Sequence, residues 1–126
     1  MKKNLLLVED DSFITQMYLM KLEEIDVDVV AFANPLEAQK FLSEGTIQFD
    51  LFLFDLFLPD MTGYELLEWV KSTPKIKDVP VVILSNLSSQ KDINEAYEKG
   101  AIDYVVKSNY TPNEVLRVIK KHLIEE

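Results

Sequence analysis

Four short stretches place chemically capable side chains directly after apolar runs. "LLLV" is followed by Glu9, Asp10 and Asp11, "LFLF" by Asp55, "VVIL" by Ser85 and "YVV" by Lys107. If Glu9, Asp10 and Asp55 come together, their carboxylates repel and cannot all stay ionised without a compensating cation. Magnesium suits such a group, because it is a hard ion commonly held by one or two carboxylates, water and phosphate oxygens. One divalent ion and the Lys107 ammonium balance the three negative charges. An aspartate so placed can act as a nucleophile toward phosphorus while metal and ammonium neutralise the transferring oxygens, giving an acyl phosphate. The only glycines are Gly45, Gly63 and Gly100. The absence of a glycine-rich phosphate cradle argues against tight nucleotide binding of the P-loop or dinucleotide kind.

Whether these groups meet depends on the elements that carry them. Apolar runs at Leu5–Val8, Val27–Phe32, Leu51–Phe54, Val81–Leu84 and Tyr104–Val106 alternate with segments of helical spacing. The first helix is expected from about Ser12 to Glu24, with Phe13, Met17 and Met20 as its apolar stripe. "NPLE" predicts a second helix, capped by Asn34 with Pro35 first inside and Glu37 able to reciprocate. A third is expected over roughly Gly63 to Ser72, facing inward through Leu66, Leu67 and Val70. Ser88 or Ser89 can cap a fourth helix ending at Lys99 before Gly100, and "TPNE" starts a fifth at Thr111. Five strands alternating with five helices imply a parallel sheet covered on both faces, and five units are too few for an eight-stranded barrel. The predicted fold is therefore α/β, an open, doubly wound, three-layer sheet. In such sheets ligands bind beyond the carboxyl ends of the strands, at the crevice where the winding reverses. Glu9, Asp10, Asp55, Ser85 and Lys107 all fall at that end.

Composition agrees with one domain spanning residues 1–126, since 48% hydrophobic content suffices for a real core at this length. The 22 acidic and 13 basic residues give a net charge of -9, which argues against nucleic acid or an anionic membrane surface as the main partner. There is no cysteine, and no apolar run approaches the roughly 20 residues of a membrane span. "MKKNLLLVEDD" lacks the long apolar core and cleavage site of a signal peptide. The expected location is the cytoplasm.

Over its whole length the chain resembles the receiver domains of two-component response regulators, and is similar to the chemotaxis-type single-domain regulators. "LLLVEDD" resembles the first strand and acidic pair, Glu9 and Asp10; "FDLFLPDMTG" resembles the phosphoacceptor segment, with Asp55 as acceptor and Pro59 and Gly63 at the family spacing. "VVILSN" puts Ser85 at the hydroxyl position, and "GAIDYVVK" puts Tyr104 at the aromatic switch position and Lys107 at the lysine position. The resemblance implies strand order 2-1-3-4-5, as in flavodoxin; residues 1–126 are expected to form a single receiver domain with no output domain among them, whether as a stand-alone regulator, a phosphorelay intermediate or a receiver cut from a longer protein. It implies that Asp55 takes a phosphoryl group from a phosphohistidine on a sensor histidine kinase or histidine phosphotransfer protein. Magnesium would be held by Asp10, Asp55 and the backbone carbonyl of Phe57, with Glu9 acting mostly through water. Lys107 would contact the phosphoryl oxygens while Ser85 and Tyr104 switch. The phosphorylated protein, a monomer or a phosphorylation-dependent dimer, would engage a downstream protein through its fourth helix, fifth strand and fifth helix. On this reading the chain is a signalling phosphoacceptor that catalyses only its own phosphorylation and slow dephosphorylation, and not a conventional enzyme.

Three departures from the family pattern stand out. Ser108 follows Lys107 where proline in a cis bond is usual; a cis bond before a non-proline residue costs roughly 3 kcal/mol, so a trans bond and an altered loop are expected. Asn86 stands where a very small residue is usual, beside the approach to Asp55. Phe57 and Leu87, two beyond acceptor and hydroxyl, can neither orient nor activate a water, which predicts a slowly hydrolysed acyl phosphate. Two neighbouring chemistries fit less well: an aspartate-nucleophile phosphatase expects a second acid at Phe57, and a flavin carrier expects a hydroxyl-rich loop at "EDDS". A degenerate receiver that docks without being phosphorylated is the remaining alternative. Asp11 is expected to cap a helix, Asp50 and Asp60 to make turns, Trp69 to join the core, and His122 to sit on the surface near a helix C-terminus.

Overall fold

The computed structural model describes residues 2–123. Strands β1 (Lys3–Val8), β2 (Val27–Phe32), β3 (Leu51–Asp55), β4 (Val81–Ser85) and β5 (Asp103–Val106) alternate with helices α1 (Ser12–Leu22), α2 (Pro35–Glu44), α3 (Gly63–Lys71), α4 (Gln90–Glu98) and α5 (Pro112–Leu123). All strands pair in parallel, in the order β2-β1-β3-β4-β5. The fold is thus the flavodoxin-like one expected, with its winding reversal between β1 and β3. Val8 pairs with Phe32 on one side and Phe54 on the other, so the chain leaves β1 and β3 at nearly the same level.

The period-2 alternation of a strand explains the two cores. Leu6, Val8, Phe52, Phe54 and Ile83 face α2, α3 and α4, where Ala38, Leu42, Leu66, Leu67, Val70 and Ala96 cover them. Leu5, Leu7, Leu51, Leu53, Val82, Leu84 and Val105 face α1 and α5, covered by Tyr18, Leu22, Val115, Leu116, Ile119 and Leu123. Both faces of every central strand are apolar because both are covered, and each fully buried Leu or Phe contributes about 1.5–3 kcal/mol. A run of tilted and stacked rings, Phe32, Phe41, Phe49, Phe52 and Phe54, fills the α2 side at centroid separations of 5.3 to 6.2 Å.

Helix starts follow the expected chemistry. Asp11 caps α1, accepting from the Phe13 and Ile14 amides at 2.9 and 3.1 Å. Asn34 caps α2 through the Leu36 amide, but Glu37 does not reciprocate; the Asn34 amide instead donates to Asp60 at 3.1 Å. Reciprocal boxes form at Thr62 with Glu65 and at Thr111 with Glu114. The bonds from Thr111 hold the Glu114 carboxyl below its usual range. Ser89, not Ser88, caps α4. The expected stripe of α1 is corrected in part: Phe13 and Met20 are 78% and 69% exposed, while Met17 packs against the core beside the buried Tyr18 and Leu22. His122 is also corrected, since it is largely buried and pairs with Asp103. The Lys107–Ser108 bond is trans, as expected with Ser108 in place of proline, and Lys107–Asn109 winds into a 3-10 turn.

Two predictions come from this packing. A Cβ on Gly63 would lie 2.3 Å from the Asp55 carbonyl oxygen and 2.9 Å from Leu56 Cα, both backbone atoms. Gly63→Ala is expected to lower stability by about 1–3 kcal/mol, read as a lower urea midpoint. The Tyr64 hydroxyl donates to the Asp92 carbonyl at 2.7 Å and ties α3 to α4. Burial, then the charges of neighbouring Tyr104, Asp92 and Glu95, push its phenol up to about 12. A raised folded pKa means stability present below the free-phenol value near 10 and lost as pH rises through about 12. Tyr64→Phe is expected to cost about 1 kcal/mol at neutral pH and to flatten that alkaline loss, measured by urea unfolding from pH 8 to 12.

Candidate functional site

The alternation that divides the core also aims the functional groups. Glu9 continues the parity of Leu5 and Leu7, Asp55 that of Leu51 and Leu53, and Lys107 that of Val105. All three therefore project toward the α1 and α5 side as their strands end. The Glu9 amide still donates to the Phe32 carbonyl at 3.0 Å, holding this residue to the sheet edge of β2. Carboxylate oxygens of Glu9, Asp10 and Asp55 lie within 4.8 Å of one another. Lys107 Nζ bonds Glu9 Oε1 at 2.5 Å and reaches Asp55 Oδ2 at 3.3 Å. Glu9 Oε2 also accepts from the Asp11 amide at 3.2 Å.

Glu9 and Asp55 are only 2% and 5% exposed, whereas Asp10 is open to solvent. Burial pushes the Glu9 carboxyl up; the Lys107 hydrogen bond opposes this, and the nearby Asp55 charge adds to the rise. For Lys107 burial acts downward, but the Glu9 hydrogen bond and the charges of Asp55 and Glu9 outweigh it, so the ammonium is held above its usual value. The two directions are compatible, because Glu9 faces a second carboxylate while Lys107 faces only acids. One ammonium against three carboxylates leaves negative charge, gathered on hard oxygens that are partly open through Asp10. This donor set fits a hard divalent cation such as magnesium, and Glu9, Asp10 and Asp55 are the side chains that could hold it. Phe57, two residues past Asp55, turns its ring outward at 60% exposure, so its part in a metal site would lie with its backbone.

Ser85 and Tyr104 belong to the opposite face. Ser85 is fully buried and its Oγ accepts from the Leu87 amide at 3.0 Å. Tyr104 is packed inside, with its hydroxyl donating to the Leu87 carbonyl at 2.8 Å. Asn86 is exposed beside Lys107 and lines with it a cavity of about 170 Å³. Sequence reasoning missed Tyr18, a buried phenol lining the same cavity. Burial raises its pKa, with Lys107 opposing and Glu9 and Asp55 adding. Its only signal lay in being an aromatic next to Met17, the one residue of the expected α1 stripe that packs inward. Asp50 and Asp60 play structural parts: Asp50 accepts from the Asn4 amide at 2.8 Å, and Asp60 turns the chain after Pro59 with φ 68°. Among the described residues no helix is long and apolar enough to cross a membrane.

Residues 5–120 match the family model described as the response regulator receiver domain. The two-component response regulator ORR8 of Oryza sativa subsp. indica is 36% identical over 105 residues, covering 82% of this chain and 85% of the relative. The probable transcriptional regulator ycf29 of Porphyra purpurea is 32% identical over 120 residues, covering 95% of this chain, which spans 56% of that relative's length. Among solved structures, the Mn(2+)-bound form of response regulator Rcp1 superposes with a TM-score of 0.86 at 29% identity, covering 98% of this chain and 95% of that one. The phosphorylated cyanobacterial phytochrome response regulator RcpA gives 0.89 at 27% identity, covering 100% and 97%. With its acidic cluster, its strand order and a family match over nearly its full length, the chain belongs to the response regulator receiver domains.

Proposed function

We propose that Asp55 accepts a phosphoryl group from a phosphohistidine on a sensor histidine kinase or histidine phosphotransfer protein, in a Mg2+-dependent reaction in the cytoplasm. The observation that carries this reading is the meeting of Glu9, Asp10 and Asp55 within 4.8 Å, with Lys107 bonded to two of them. In the transfer an Asp55 oxygen bonds to phosphorus as the phosphorus–nitrogen bond of the donor imidazole breaks. The electron pair of that bond stays on the nitrogen, which is then free to bind a proton. Lys107, 3.3 Å from Asp55 Oδ2, is near enough to bond a phosphoryl oxygen once Asp55 carries one. Glu9, Asp10, Asp55 and the Phe57 backbone carbonyl are the groups proposed to hold magnesium, which when bound neutralises charge on the phosphoryl oxygens.

Ser85 is proposed to exchange the Leu87 amide for a phosphoryl oxygen. Tyr104, joined to the same residue through its hydroxyl, would repack in response. The readout is a shift between two packings of α4, β5 and α5, a face that includes exposed Tyr97 and Ile102, recognised by a downstream protein. We take residues 1–126 to act as one receiver domain, a monomer or a phosphorylation-dependent dimer, without direct contact to nucleic acid or membrane.

Incubation with acetyl phosphate and Mg2+ is expected to add one phosphoryl group by intact mass. The adduct should be absent in Asp55→Asn and when EDTA replaces the metal; an unmodified wild-type chain would overturn the assignment. Lifetime is the second outcome to measure. With Phe57 and Leu87 unable to help a water, Phe57→Asn together with Leu87→Glu is expected to speed phosphate loss from the isolated domain on the order of a hundredfold, the low end of what a positioned base contributes. Equal decay rates would remove these two side chains from the account.

A further inference from the structure

The chain's single histidine has no part in the acidic site, yet it is not a free surface residue. His122 Nε2 lies 2.8 Å from Asp103 Oδ2, and its side chain is only 11% exposed. Asp103 Oδ1 accepts from the Tyr97 hydroxyl at 3.3 Å and from the Tyr104 amide at 2.8 Å. One carboxylate at the start of β5 therefore gathers donors from α4, β5 and α5. The network continues inward, because the Tyr104 hydroxyl bonds the Leu87 carbonyl and the Leu87 amide bonds Ser85 Oγ. From His122 to Ser85 every link is a hydrogen bond, and together they run from α5 through β5 and the loop after β4 to the end of β4.

We propose that His122 and Tyr97, acting through Asp103, are positioning residues that hold Tyr104 and the loop after β4 in the packing described above. Asp103 cannot turn without giving up either the His122 bond or the amide bond to Tyr104. Tyr104 in turn cannot leave its place without releasing Leu87, whose amide occupies the Ser85 hydroxyl. A hydrogen bond to a charged group is worth more than a neutral one and is strongest where water is excluded, as at this largely buried imidazole. The clamp thus adds to the free energy that phosphorylation must supply to repack α4 and β5, so it sets how far the face is switched at rest. This assignment rests on the proposed switching roles of Ser85 and Tyr104, but the clamp itself can be tested on the unphosphorylated chain.

The test is amide hydrogen exchange of the unphosphorylated chain under native conditions, with urea unfolding measured in parallel. His122→Phe keeps a ring and removes the donor. Exchange at Leu87 and through the last turn of α4 is expected to rise about tenfold, the ratio a hydrogen bond of this kind is worth. Tyr97→Phe should give a smaller rise confined to α4. The exposed neighbour substitution Lys121→Ala should leave both regions unchanged. His122→Gln, which restores an N–H donor, should recover part of the protection. A fall in urea midpoint with Leu87 and α4 exchange no faster than the change in global stability explains would overturn the proposal and leave His122 as a packing residue of α5. The result is separable from phosphorylation: a chain that takes no phosphoryl group on Asp55 can still show the clamp, and one that takes it can still lack the clamp.

Discussion

Three carboxylates and one ammonium share the space where β1 and β3 end, and their mutual electrostatics constrain the rest of the molecule. Burying Glu9 and Asp55 without a counter-charge would cost several kcal/mol for each ion. Lys107 offsets part of this, and it does so from β5, with β3 and β4 lying between it and Glu9 in the sheet. A long side chain on the turn after β5 spans that gap where a shorter cation would not. The arrangement is balanced short of neutrality, which is what a site must be if it is to bind a divalent cation and then an anionic phosphoryl group. A site already neutral would have little affinity for the first and no use for the second.

The same demand explains the backbone around Asp55. The Gly63 amide donates to the Leu56 carbonyl at 2.9 Å, so α3 begins against the end of β3 with no room for a side chain between them. Asp60 adopts a left-handed backbone at φ 68°, a conformation in which aspartate is tolerated better than most residues. Its carboxylate is held by Asn34, so the loop after β3 is tied to the start of α2. A loop fixed at Gly63 and Asp60 fixes the direction of the strand end, and with it the carboxylate of Asp55. Leu56, Leu58 and Met61 anchor the loop to the core, while the ring of Phe57 between them is left exposed.

Much of this was legible in the sequence because strands buried on both faces read as unbroken apolar runs, and the polar residues that end them stand out. Glu9, Asp10, Asp55, Ser85 and Lys107 each follow such a run, and the strand order brings them to one end. What was not legible has physical causes. Apolar residues occupy most positions of α1, so periodicity alone could not choose between the face of Phe13 and Met20 and the face of Tyr18 and Leu22. Packing against α5 decides it. The cap of Asn34 was foreseen, but its second bond was not, since Asp60 arrives from 26 residues away. His122 was assigned to solvent on local grounds; its partner Asp103 is 19 residues distant and reaches it only once α5 has docked beside β5. Local chemistry can be read along the chain, whereas pairings made by docking require the fold.

The parity of the strands gives the two kinds of group separate faces, and this separation bears on the proposed switch. Glu9, Asp55 and Lys107 continue the face covered by α1 and α5, while Tyr104 and Val106 lie on the face covered by α2, α3 and α4. Chemistry on one side and repacking on the other would be independent if they shared no element. They share β5: Lys107 follows its last residue, Tyr104 is its second, and Asp103 opens it with bonds to both flanking helices. With only four residues, β5 is too short to move Lys107 without disturbing the register of Tyr104 against Ile83 and of Val106 against Ser85. If phosphorylation of Asp55 draws on Lys107 as proposed, the same displacement would strain the bonds of Asp103 and Tyr104, and this short edge strand would carry the event at Asp55 to α4 and α5.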